Sequence, residues 1–176
     1  MKTQFGIPQD CLPQLAESNR QEEAVVTVGD FLAFKLGDEE YGIDVWGVQE
    51  VRYFDAPTYI YNAPSHVLGV QKLRGVTVPI VDLRLRFGVT DACYDSLTVI
   101  VVINVANYVV GVVVDRVTDI VRLGSEQLRP VPELSSKFDN DHLMAVGFVN
   151  DRMLMLLDLE KLMISVESGT GFDALH

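Results

Sequence analysis

Three histidines, two cysteines and scattered carboxylates are the residues through which this chain could do chemistry. His66, Asp82 and Ser125 invite comparison with a nucleophilic triad, in which a base activates a serine and an acid orients the base. The residues around the serine argue against it. Ser125 is followed by Glu126 and Gln127, with no glycine frame to build an oxyanion hole. A metal site has less support still. His66, His142 and His176 form no HxH or HExxH pattern, and Cys11 and Cys93 stand far apart without a CxxC. Both cysteines are expected to be reduced thiols. His66 opens a strand and His142 lies in an Asn- and Asp-rich stretch, so both read as solvated caps. No Walker or dinucleotide glycine pattern exists. Gly42, Gly69, Gly111 and Gly147 stand singly in apolar runs, where they report bulges or close backbone packing. Glu50, Asp82, Asp115 and Asp158 fall at strand ends. Asp82 and Asp158 each precede Leu and a helical turn, which fits an N-cap worth about 1 kcal/mol better than acid–base work. The expectation is a chain with no catalytic residues, no metal and no cofactor.

The elements that position these residues are mostly strands. β-branched and aromatic runs are separated by turn residues. Residues 31–36 and 41–46 flank a turn at 37–40 and predict a hairpin. Residues 66–71 and 76–82 predict a second, 97–103 and 108–115 a third, and 143–149 and 153–158 a fourth. Pro79 inside a strand marks an edge or a bulge. Helical signals are short: about one turn at Leu83–Phe87 and about two at Leu159–Val166.

Composition narrows the function classes. The chain has 176 residues, 48% of them hydrophobic, enough for a sizeable core without disulfide or metal staples. A net charge of −11 argues against nucleic acid and against anionic lipid, since both repel an acidic surface. The N-terminus lacks the apolar stretch of a signal peptide. The longest apolar run, Thr98 to Ile103, is too short to span a bilayer. Residues 1–28 read as a mobile polar tail, 29–166 as the ordered domain and 167–176 as a C-terminal tail.

An internal repeat organises the domain. A shift of 69 residues carries Leu36 to Val105, Gly42 to Gly111, Val48 to Val117, Glu50 to Asp119 and Val51 to Ile120. A shift of 78 carries Gly69 to Gly147, and a shift of 76 carries Asp82 to Asp158, which places a two-residue length change in the hairpin turn. Each half reads as hairpin, loop, hairpin, short helix. Two such units, each too small for a large core, predict an all-β pair of five-stranded barrels, the first over 29–93 and the second over 94–166.

With catalysis unsupported, surface remains. Lys72 and Arg74 sit on a tight turn between two apolar strands, and Asn150-Asp151-Arg152 is the counterpart. A charged turn tip is ordinarily just solvated, yet an Arg on a rigid hairpin also makes an interface anchor. Val48, Gln49, Glu50 and Val51 follow Trp46 and Gly47 with unsettled alternation, so one valine must face outward. An exposed Val beside Glu50 suits a partner contact; a second core face is the alternative.

Several of these segments carry a family pattern. YGIDV (41–45), VQEV (48–51), GVQKLRGVTVPIVDLR (69–84), GVVVD (111–115), EQLRPVPE (126–133) and DRMLMLLDLEKL (151–162) resemble the CheW family over roughly residues 30–165. The resemblance implies two packed SH3-like barrels with short helical turns around a shared core. It implies a non-enzymatic cytoplasmic adaptor of bacterial chemotaxis, recruited to membrane receptor arrays. Its partners would be the regulatory domain of a CheA-type histidine kinase and the cytoplasmic tip of methyl-accepting chemotaxis receptors. By the family's motifs, receptor contact falls to Arg74, Val48, Gly69 and Gly111 in the groove between barrels, and kinase contact to Glu50 and Val51. Lys72 departs from the pattern, where Asn is common. The chain ends soon after its terminal helix, so the receiver domain of the related CheV architecture is not expected. Three alternatives stay open: an adaptor of the same family in another array, such as one for pilus-based motility; a two-barrel hydrolase; and a β-rich interaction module of other partners.

Overall fold

The computed structural model describes residues 27–89, 91–132 and 142–170. Four hairpins form where alternation and turn residues predict them. They are β1 (Thr27–Leu36) with β2 (Glu39–Asp44), β4 (Val67–Leu73) with β5 (Val76–Asp82), β6 (Val99–Val105) with β7 (Tyr108–Val114), and β10 (Leu143–Val149) with β11 (Arg152–Leu157). Three further strands are β3 (Val48–Tyr53), β8 (Arg116–Gly124) and the stub β9 (Leu128–Arg129). Helix α1 (Leu83–Arg86) follows β5, and α2 (Leu159–Thr170) follows β11. Strand β1 starts at Thr27, inside the expected tail, whose residues 1–26 lie outside the described ones. Helix α2 runs past residue 166, which moves the expected domain edge.

The strands make two sheets, in the orders β8-β1-β2-β11-β10-β9 and β3-β6-β7-β5-β4. The sheets do not follow the sequence halves. The expected boundary at 93/94 fails because the first hairpin of each half pairs into the other half's sheet. β1–β2 joins β8, β10 and β11, whereas β6–β7 joins β3, β4 and β5. Both exchanges are made by parallel pairs, Leu156 beside Gly42 and Ile80 beside Gly111. These pairs are equivalent under the repeat. At each glycine a Cβ would lie within 3 Å of that partner's side chain, so close approach of the two halves explains the glycines.

Register refines the repeat. Strand β4 slips between Val67 and Gly69, and β10 slips between Leu143 and Ala145. A single shift of 76 therefore runs through the whole second hairpin, carrying His66 to His142, Gly69 to Ala145 and Arg74 to Asn150. The expected pairing of Gly69 with Gly147, and the length change in the turn, are both overturned. Both turns hold two residues with positive φ, Arg74 at 52° and Gly75 at 81°, Asn150 at 47° and Asp151 at 65°. That is the conformation whose twist suits a two-residue hairpin. Pro79 is not on an edge: β5 lies between β7 and β4, and pairing to β7 begins only at Ile80, so its missing N–H is not needed.

Three apolar cores follow. Phe31, Ala33, Val121, Leu123, Leu154 and Leu156 fill one barrel, and Leu73, Val78, Ile80, Ile100, Val102 and Val113 fill the other. The largest core lies between them and takes the opposite faces of the same strands, including Phe34, Ile43, Val81, Val101 and Val112. Leu159, Leu162 and Met163 of α2 seal it.

Candidate functional site

Strand β3 is an end strand of its sheet, and its side chains are mostly solvent-facing. Its alternation was unsettled in sequence because little of it is buried. Val48 packs at the margin of the shared core, Val51 is 44% exposed and Tyr53 is 81% exposed. Across the open end of the sheet, the β4–β5 turn presents Arg74, whose Nη2 donates to Glu50 Oε2 at 3.0 Å. Arg52 approaches the same carboxylate at 3.6 Å. The pair thus spans from one terminal strand of the sheet to the turn beside the other. Arg74 keeps 71% of its side chain exposed, so the guanidinium stays available to a partner. Arg74 and Glu50 therefore share one face of the sheet, with Val76 half exposed beside the tip, whereas Val51, paired with Val101, points to the opposite face.

Gly69 and Gly111 do not belong to that surface. Both are buried. Gly69, at φ +149°, lies so close to Thr58 that an added Cβ would fall 2.0 Å from its carbonyl oxygen. That approach permits the two backbone bonds between Thr58 and Val70, both at 2.9 Å. Gly111 faces Ile80 and Ile100. These glycines shape the barrel wall and offer no side-chain contact, which corrects their expected place among surface residues.

The carboxylates at strand ends have structural work. Asp82 caps α1 through the Arg84 N–H at 2.9 Å, and Asp158 caps α2 through the Lys161 N–H at 3.2 Å. Asp82 also holds a buried network that sequence reading missed. Arg84, 1% exposed, donates from Nε to Asp82 Oδ1 at 3.0 Å and from Nη2 to Oδ2 at 2.9 Å. Its Nη1 donates to Asp115 Oδ1 at 2.8 Å and to the Cys93 carbonyl at 2.6 Å. The Tyr94 hydroxyl donates to Asp82 Oδ2 at 2.7 Å, and its ring lies 4.8 Å from the guanidinium carbon. Burial pulls the Arg84 pKa down, but hydrogen bonds and charge from Asp82 and Asp115 outweigh it and raise it above the ordinary value. Burial, then the bond to Asp82, pushes the Tyr94 hydroxyl up to about 12. Asp115 in turn accepts from the Gly37 N–H at 2.5 Å, which ties this network to the β1–β2 turn of the other sheet. The only sequence signal for it was an Arg two residues after a capping Asp.

This geometry leaves nothing for a triad. The Asp82 oxygens are taken by Arg84 and Tyr94, and His66 Nε2 has no hydrogen-bond partner. Burial, then Arg86, lowers the His66 pKa. The histidines are not solvated caps: His142 is 4% exposed, and each histidine carbonyl accepts the N–H of its Asp at 2.8 Å. Among the described residues, no group of three His, Cys, Asp or Glu could hold a metal ion. No described helix is long and apolar enough to cross a membrane.

Between the sheets lies a groove. A cavity of about 410 Å³ is lined by Asp44, Trp46, Gly47, Asn104, Val105 and Met144, with Leu157 to Glu160 at the start of α2. An adjoining cavity of about 330 Å³ shares Val105 and Glu160 and continues along α2 past Tyr108, Met163 and Ile164. Trp46, 90% exposed, stands over the first.

Comparison with known proteins gives this arrangement a family. The model of the CheW-like domain matches residues 30–167. The chain belongs to the CheW family. It is 49% identical over 142 residues to the chemotaxis protein CheW of Klebsiella aerogenes, covering 80% of this chain and 86% of that one. It is 35% identical over 139 residues to the probable chemotaxis protein CheW of Rhizobium etli, covering 79% and 90%. The crystal structure of the scaffolding protein TtCheW from Thermoanaerobacter tengcongensis superposes with a TM-score of 0.69 at 25% identity, covering 74% of this chain and 88% of that one. The two sheets are accordingly the two SH3-like barrels of the CheW fold, and the chain is a chemotaxis scaffold of this family.

Proposed function

We propose that this CheW-family scaffold is a non-enzymatic cytoplasmic adaptor that couples methyl-accepting chemotaxis receptors to the regulatory domain of a CheA-type histidine kinase. Its work is positional. It holds two proteins in register, and receptor state changes kinase output through contacts that differ in free energy between the on and off states. The observation that carries this is the exposed edge strand β3 beside the β4–β5 turn, where Arg74 and Glu50 pair on one face and Val51 stands exposed on the other. Arg74 with neighbouring Val48 serves the receptor, and Glu50 with Val51 serves the kinase. The mainly apolar groove along α2 past Tyr108, Met163 and Ile164 has the form that takes a helix by its hydrophobic face.

The test is co-sedimentation of the full chain with receptor fragments and CheA while kinase activity is followed. Val51→Glu should lose the kinase and keep the receptor. Retention of both partners by folded Arg74→Glu and Val51→Glu variants would refute the assignment.

A further inference from the structure

Equivalent junctions of the two repeats carry opposite chemistry. Where β7 ends and α1 begins, Arg84 fills the space between Asp82 and Asp115 against the Tyr94 ring. Where β2 ends and α2 begins, the framework is retained: Asp158 stands for Asp82 and Leu159 for Leu83. The filling is not. Glu160 stands where Arg84 stands, and Trp46 where Asp115 stands. The result is the cavity of about 410 Å³, with Asp44, Asp158 and Glu160 among its lining and no Arg, Lys or His.

We propose that this cavity receives an arginine side chain of a partner protein. The guanidinium lies against Trp46 and pairs with Glu160 and Asp158, repeating with a foreign cation what Arg84 does internally. Three observations converge. The internal network shows that this framework accommodates a guanidinium when carboxylates and an aromatic face surround it. The open junction has the carboxylates and the aromatic face but not the cation. The chain's net charge of −11 draws cationic groups toward it. Arginine fits better than lysine, because a planar fork pairs with carboxylates and stacks on an indole at once. A merely solvated acidic patch needs neither an open cavity at the repeat-equivalent junction nor a tryptophan left 90% exposed beside it. The inference goes beyond the adaptor reading and does not depend on which proteins the chain joins.

Trp46 is the chain's single tryptophan, so its fluorescence reports on the cavity. The full chain is titrated with N-acetyl-arginine amide and with the neutral citrulline analogue. A saturable change is expected with arginine and not with citrulline. Glu160→Gln should weaken it about threefold, the effect of one partly exposed charge pair. Glu160→Arg supplies the cation from within; it should shield Trp46 from iodide and abolish the response to the arginine probe. Equal responses to the two probes, no saturation, or an unchanged response in Glu160→Gln would overturn the proposal. A response that emerges only in Arg20→Gln would make the chain's own lead segment the occupant and overturn the partner assignment. Neither kinase nor receptor enters the readout, so this result and the adaptor reading fail separately.

Discussion

Glu50 and Asp119 hold the same position on the third strand of each repeat, and each accepts a hydrogen bond from a guanidinium at the neighbouring hairpin turn. Arg74 reaches Glu50 at 3.0 Å and Arg152 reaches Asp119 at 2.7 Å. The arginine differs in place: Arg74 is in its turn, whereas Arg152 is the first residue after its own. Arg152 also binds Glu40 and keeps only 32% of its side chain exposed, against 71% for Arg74. One barrel thus has its arginine committed internally, and the other holds it loosely.

Arg74→Glu should therefore leave the fold intact and abolish receptor binding. An exposed ion pair contributes about 0.2–1 kcal/mol, so the urea midpoint should move little. A pull-down with receptor fragments checks it, and unchanged binding by the folded variant counts against the assignment.

The Arg152 network predicts acid sensitivity in the other barrel. The hydrogen bond from Arg152 holds the carboxyls of Glu40 and Asp119 below their ordinary values of 4.5 and 3.8. Folded values below unfolded ones give stability that is present above the ordinary range and fades as pH falls through the lowered values. Between about pH 5 and pH 3 the natural chain should lose stability more steeply than Arg152→Met. Urea midpoints across that range decide it, and parallel slopes would show that the network contributes nothing.

Arg84→Met should destabilise the protein by about 3–5 kcal/mol at neutral pH, because it strands the buried Asp82 carboxylate without its cation. Adding Asp82→Asn should recover part of that loss, since the remaining group is neutral. Urea denaturation of the single and double variants measures both steps; no recovery would mean that lost packing, not charge, sets the cost.

Gly69→Ala should cost more than Gly111→Ala. At Gly69 the added methyl meets a backbone carbonyl from a left-handed conformation, about 2–5 kcal/mol of overlap and strain together. At Gly111 it meets the movable ends of Ile80 and Ile100, about 1–3 kcal/mol. Any weakened receptor binding should follow the loss of fold, seen by circular dichroism at matched temperatures, because neither glycine reaches the surface.

The hairpins were legible because half-buried strands alternate and their turns use turn residues. Strands β3 and β8 were not, because most of their side chains face solvent and leave no periodic signal. The repeat was visible through Gly42, Gly111, Asp82 and Asp158. Its register was not, because matching Gly69 to Gly147 ignored a bulge that both hairpins share. The family pattern gave Arg74 to one partner and Glu50 and Val51 to another; the structure pairs Arg74 with Glu50 and turns Val51 to the other face of β3. Gly69 and Gly111 were read from their apolar runs as bulges or close packing, as the structure has them. It was the family pattern that grouped them with Arg74, and a glycine's place in a motif does not tell a buried approach from an exposed contact. Arg84 was missed because its partners Asp115 and Tyr94 come from other segments.

The exchange of first hairpins between the halves has a consequence for birth on the ribosome. The sheet built from 48–114 has all its strands once residue 114 has emerged, whereas β1–β2 must wait for β11, more than a hundred residues later. Until then its one partner strand in that sheet is β8, complete at residue 124, and Phe31 lacks the Leu154 and Leu156 that cover it. Nascent chains stalled near residue 120 should therefore be sticky, and those released beyond residue 160 should not.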